Sequence, residues 1–231
     1  MDALRQALRV LLRPGEGFRA VAGEAPTLGP SVRRMLVWWL PAAYAHAGLT
    51  AWSILRAYQS LREGWLPSWA GVVRPAGLDP EGLRDLLRQM PAAPTLAHLG
   101  PWLFLLVPVG VLGTWLHDAV WDHTCLWMLG GLKERRGFRT TLVAEAQALR
   151  IAALGTVAGL LSFLPGVGMV LGPPLALLEA YLWVFRGFSM AAFHGCPTWK
   201  GVAATVLHAA LVGLFALGFL VALVVLAGLR L

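Results

Sequence analysis

The chain has 231 residues, of which 58% are hydrophobic and only 13% charged, and its mean hydropathy is +0.66. Soluble domains carry about 25% charged residues, so this composition cannot coat a globule with polar groups; it also excludes disorder, which requires low hydrophobicity. The net charge of +7, from 17 Arg and 2 Lys against 12 acids, points to cytoplasmic loops and anionic lipid headgroups rather than to nucleic acid.

At about 20 residues per span, the length allows five or six membrane spans and little else. The opening residues carry charges at positions 2, 5, 9 and 13 with no uninterrupted apolar run, so they do not read as a cleavable signal peptide. Instead, residues 1–13 predict a short basic amphipathic helix. Leu4, Leu8, Leu11 and Leu12 fall on one face, and Arg5, Arg9 and Arg13, spaced by four, on another. Pro14 and Gly15 stop it. A helix of this kind is expected to lie in the membrane interface. Residues 1–34 are thus expected to be a cytoplasmic amphipathic helix and lead-in ending at Arg33-Arg34.

Residues 35–231 are expected to form the membrane domain. The first span is predicted over about 35–55, kinked at Pro41, and the polar stretch 56–95 is an extracytoplasmic loop. Within that loop, Asp79-Pro80-Glu81 looks like a helix start ahead of a stripe of Leu83, Leu86, Leu87 and Met90, and Trp65 and Trp69 suit an interfacial belt. The second span, about 99–121, ends in a polar block, and a short apolar segment then leads to the basic turn Lys133 to Arg139. The third span covers about 140–164 and the uncharged turn Ser162–Gly168 joins it to the fourth, about 167–185. Arg186 to Lys200 reads as a connection, and the fifth span covers about 201–229. The fold class expected is an all-α integral membrane protein, a five-span helix bundle with a basic amphipathic N-terminal helix. Six arginines precede the first span, so the positive-inside rule places the N-terminus in the cytoplasm. Headgroup contact is expected from Arg5, Arg9, Arg13, Arg33, Arg34, Lys133, Arg135 and Arg136.

Ionisable groups at membrane depth cost roughly 2.5–3.5 kcal/mol each at a helix centre, so they ask for a reason. The block at the end of span two holds His117, Asp118, Asp122 and His123. Asp118 and Asp122 share a helix face. Asp118, Asp122 and His123 are weak candidate ligands for a divalent metal, and histidine can also relay protons; the plain alternative is that these groups cap the span and pair with arginines. Glu145 and Gln147 in span three, and Glu179 and Arg186 in span four, lie at similar depth across the hairpin. They predict a buried Glu179–Arg186–Glu145 network near Asp118 and Asp122, with His194 close by. That network either fixes helix packing or lines a polar pocket open to the cytoplasm. Gly155-x3-Gly159 has the spacing of a close helix crossing.

The pattern resembles bacterial members of the YIP domain family, named for Ypt-interacting proteins. The resemblance runs through Arg13-Pro14-Gly15-Glu16-Gly17-Phe18, then Leu129-Gly130-Gly131 ahead of Gly137-Phe138. It continues at Pro165-Gly166-Val167-Gly168, Glu179 to Gly187 and Ala192-Phe193-His194-Gly195. Phe193 interrupts the Ala-His-Gly pattern of similar chains. The resemblance implies a five-span bundle with a cytoplasmic N-terminus and no established reaction. Eukaryotic relatives bind small GTPases through a long N-terminal region; here only about 34 residues precede the first span.

Cys125 and Cys196 form no CxxC pair and give neither a disulfide framework nor a zinc signature. Walker, GxSxG and HExxH patterns do not occur, and His117, Asp118, Asp122, His123 and His194 show no nucleophile–base spacing. The function expected is therefore non-enzymatic. The chain would organise membrane, or serve as a subunit or partner in a membrane-protein assembly or a homo-oligomer, in the bacterial cytoplasmic membrane and without a cofactor. The rival reading is a small transporter, channel or lipid-translocating protein using the polar pocket.

Overall fold

The structure is a computed structural model, in which residues 2–62, 85, 89, 91–132, 137–164 and 166–228 are described. The readings of a helix after Asp79, of a Trp65–Trp69 belt, and of headgroup contact by Lys133, Arg135 and Arg136 lie outside these residues. All regular structure among the described residues is helical. In chain order the helices are α1 (Asp2–Leu12), α2 (Pro14–Gly23), α3 (Leu28–Arg62), α4 (Leu96–Met128), α5 (Phe138–Gly159), α6 (Val167–His194) and α7 (Thr198–Gly228). The single turn Leu160–Phe163 extends α5 as 3-10 helix.

Among the described residues, four segments are long and apolar enough to cross a membrane: Leu96–Met128, Phe138–Phe163, Val167–His194 and Thr198–Ala227. The expected first span lies within α3. That helix is long enough, but Trp38, Trp39, Tyr44 and His46 dilute its apolar stretch, and it is not one of the four. Prolines stand inside α3 (Pro41), α4 (Pro101, Pro108) and α6 (Pro173, Pro174), as transmembrane helices tolerate.

Two helix ends differ from expectation. The segment after Trp121 was expected to leave the helix, and the stretch from Arg186 to connect two spans; instead α4 continues to Met128 and α6 to His194. The reason is chemical. Charged residues read from sequence as span ends are here neutralised inside the protein, so nothing forces the helix to stop. What stops each helix is a left-handed glycine, Gly130 (φ 62) and Gly195 (φ 64). The following N–H groups close back five residues, Gly131 to Leu126 O at 2.8 Å and Cys196 to Ala191 O at 3.1 Å, the Schellman arrangement. Only Gly195 to Pro197 separate α6 from α7.

The chain divides into two compact units, Ala43–Val109 and the remainder, Met1–Ala42 with Gly110–Leu231. In the smaller unit, the later part of α3 and the start of α4 are tied by Tyr44, whose hydroxyl donates to Phe104 O at 2.9 Å while the two rings stack at 6.4 Å. Tyr58 donates to Pro91 O at 2.7 Å.

The larger unit holds the core. Its centre is the first half of α5, where every residue from Val143 to Arg150 is buried. Ala144, Ala146 and Ala148 let neighbours approach this helix from several sides. Ala7 and Val10 of α1, Phe18 and Val21 of α2, Cys125 and Leu126 of α4, Phe185, Met190 and Phe193 of α6 and Ala204 of α7 complete the cluster. Phe18 meets Phe185 edge-on at 4.8 Å. The crossing of α1 over α2 depends on Gly17, because a Cβ there would stand 2.7 Å from the Val10 Cα.

The N-terminal helix is therefore packed on its own protein. Its inward residues are Ala7 and Val10, with Leu11 partly buried, whereas Leu8 and Leu12 are 45% and 79% exposed. The expected apolar face is rotated, because small Ala7 and Val10 fit against α2 where leucines would not. Leu8 and Leu12 remain available to an interface, as do the exposed Arg5, Arg9 and Arg13. The Tyr181 hydroxyl fastens the end of α1 by donating to Leu11 O at 2.6 Å. Tyr181→Phe should cost about 0.5–1.5 kcal/mol, the net worth of one hydrogen bond. Thermal unfolding in detergent measures it, and an unchanged midpoint would show that core packing alone seats α1.

Candidate functional site

Arg186 of α6 is 2% exposed and gathers three carboxylates. Its Nη1 lies 2.8 Å from Asp118 Oδ2, its Nη2 2.6 Å from Asp122 Oδ2, and its Nε 3.0 Å from Glu145 Oε2. Asp118 and Asp122 come from successive turns of α4 and Glu145 from the central helix α5, so one guanidinium joins three helices. A fourth is added by His208 of α7, whose Nδ1 is 2.7 Å from Asp122 Oδ1. Asp122, Glu145 and His208 are each at most 1% exposed.

Aromatic rings wall the cluster. Trp183 lies under the guanidinium, 5.4 Å from ring centre to Arg186 Cζ. His208 packs against Trp183 at 5.3 Å, Trp121 at 5.9 Å and nearly parallel, and His117 at 5.4 Å. His117 is the open edge: its side chain is half exposed and its Nδ1 stands 3.2 Å from Asp118 Oδ1.

The charges do not balance. Three carboxylates face one guanidinium, an excess of two negative charges. Glu145 Oε1 is buried, and no N–H or O–H group among the described residues donates to it.

A second network is separate. Thr141 Oγ1 lies 2.7 Å from His123 Nδ1 and 2.9 Å from His194 Nε2. One hydroxyl can donate to only one of these rings, so the other must donate to it. A third contact ties α3 to α5, where Gln147 donates to Ser31 Oγ at 2.9 Å and Ser31 to Thr27 O at 2.8 Å.

Of the sequence-predicted pocket residues, the structure brings together His117, Asp118, Asp122, Glu145 and Arg186. It puts His123 and His194 in the threonine-bridged pair, away from the carboxylates. Glu179 is exposed and stands outside the cluster. Seven residues separate it from Arg186, which restores the helix face but leaves it two turns, about 10 Å, away. Among the weak metal candidates, Asp118 and Asp122 are neighbours and His123 is not part of their group. Sequence reasoning missed His208. The signal was present: it is the one ionisable residue between Lys200 and Arg230, in the most apolar segment of the chain. Of the expected headgroup contacts, Arg5, Arg9, Arg13, Arg33 and Arg34 are exposed.

No family model matches the chain, and neither does any curated protein or solved structure.

Proposed function

We propose that the chain is a non-enzymatic five-span membrane protein that works as a subunit or partner in a membrane-protein assembly, or assembles with itself. The observation that carries this reading is the outer half of α7. Every residue from Gly213 to Ala227 is exposed, and Leu214, Phe215, Leu217, Phe219, Leu220 and Val224 each show 57–68% of their surface. Asp118, Asp122, Glu145 and His208 are meanwhile drawn inward around Arg186. A helix half that is apolar on all sides meets lipid or other apolar helices. Gly213 and Gly218 leave it places for close approach, since a Cβ on either meets nothing within 4 Å.

The remaining parts of the reading rest on the sequence. α3 serves as the first of five spans, the arginines before it hold the N-terminus in the cytoplasm, and the short motifs support kinship with the bacterial YIP domain proteins and a place in the inner membrane. Exposed Leu8 and Leu12 beside Arg5, Arg9 and Arg13 suit an anionic leaflet.

The test is native mass spectrometry of the intact chain released from lipid nanodiscs. The reading predicts a fixed stoichiometry with a second copy or a membrane-protein partner; a monomer carrying only lipid would contradict it. The three carboxylates around one guanidinium and the open edge at His117 favour a second reading, transport through a polar pocket. Proteoliposome flux lost in Asp118→Asn would support it, and flux unchanged would end it.

A further inference from the structure

From the geometry we infer that His117, Asp118 and His208 form a binding site for one divalent transition metal ion of the zinc class, bridging α4 to α7. One donor atom from each residue lies within 4.8 Å of the others. Metal–nitrogen and metal–oxygen bonds of about 2.0–2.2 Å at tetrahedral angles put donors roughly 3.4 Å apart. The His117–Asp118 pair already stands at 3.2 Å, and half-exposed His117 has room to close the remaining gap.

The surroundings supply what such a site needs beyond its ligands. Asp122 holds the Nδ1 of His208 at 2.7 Å, which leaves Nε2 with its lone pair as the metal donor. A carboxylate fixing the far nitrogen of a ligating histidine is the usual support in zinc sites. Arg186 plays the matching part for Asp118, engaging Oδ2 and leaving Oδ1 toward His117. Trp121 and Trp183 both pack against the His208 ring. Beside these ligands, Asp118, Asp122 and Glu145 gather their oxygens around a single guanidinium, so acidic side chains outnumber the one arginine at this end of the bundle. Two imidazoles and one carboxylate suit zinc, copper, nickel or iron rather than magnesium or calcium. Three protein ligands and an exposed edge leave a fourth position open to water or to a side chain of a partner.

The experiment uses the full chain in detergent, stripped with chelator and titrated with Zn²⁺, and with Co²⁺ as a spectroscopic probe. The site predicts one Zn²⁺ per chain and visible Co²⁺ absorption of four-coordinate type. Asp122→Asn should weaken binding by about 10–100-fold, and His117→Gln by at least as much. His117 sits at the exposed edge, so its variant keeps the test open if replacing His208 or Asp122 impairs folding. Zn²⁺ uptake far below one per chain overturns the inference, as does equal affinity in His117→Gln, which would put the ion at another group.

Discussion

Arg186→Met is expected to lower stability by about 3–5 kcal/mol, the cost of removing one partner of a buried ion pair, and here the change strands three carboxylates at once. Asp118, Asp122 and Glu145 would be left without the cation that supports them at 2.6–3.0 Å, and α4, α5 and α6 without their common tie. Arg186→Lys should recover only part of the loss, because a single ammonium cannot direct three donors to three carboxylates on different helices. The decisive comparison adds Asp118→Asn, Asp122→Asn and Glu145→Gln to Arg186→Met. Neutralising the stranded acids removes the penalty at its source, so most of the lost stability should return. Thermal unfolding in detergent, followed by tryptophan fluorescence, reads all three. A small loss in Arg186→Met would mean that apolar contacts alone hold the helices at this end.

Gly201→Val is expected to be the next most damaging change. A Cβ at Gly201 would overlap the Gly187 carbonyl oxygen, and one at Gly187 would lie 2.5 Å from the Val202 Cα. Both obstacles are backbone, so α6 and α7 must separate to admit a side chain. Overpacking of a closed interior costs about 1–3 kcal/mol, occasionally more. Gly155→Ala offers a graded control, since its new methyl meets the flexible side chain of Leu182. Gly159→Ala should be neutral or stabilising, as nothing lies within 4 Å and alanine favours helix by about 1 kcal/mol over glycine. Thermal midpoints falling in the order Gly159→Ala, Gly155→Ala, Gly201→Val would bear out this packing; equal midpoints would contradict it.

These two sites also mark what the sequence made legible. The long apolar segments stood out because twenty consecutive apolar residues have few other uses. Asp118, Asp122, Glu145 and Arg186 stood out because charge is costly at that depth. A network of Arg186 with Glu145 near Asp118 and Asp122 was expected; what remained hidden was that it lies inside continuous helices. Arg186 was read as the start of a connection, and its three carboxylates lie 41 to 68 positions back in the sequence. Gly187 therefore fell in an apparent loop and Gly201 at the first residue of the fifth span, and the spacing of Gly155 and Gly159 drew attention instead. Glu179 shares a helix face with Arg186, but periodicity carries no information about depth along the axis. His208 was passed over because its neighbours gave no polar context; that context comes from Asp122 on another helix. The face of α1 turned on size rather than hydrophobicity, a choice made by the close crossing at Gly17.

A bundle that closes its charges around Arg186 while leaving half of α7 apolar and uncovered is built to meet other helices in the membrane, and that is the central claim. Photo-crosslinking in native membranes tests it most directly, with a reactive residue placed in turn at Leu214, Leu217, Leu220 and Val224. Assembly predicts one discrete protein adduct of constant mass, strongest at positions three to four residues apart on a shared face. Lipid adducts alone, equal at all four positions, would contradict it.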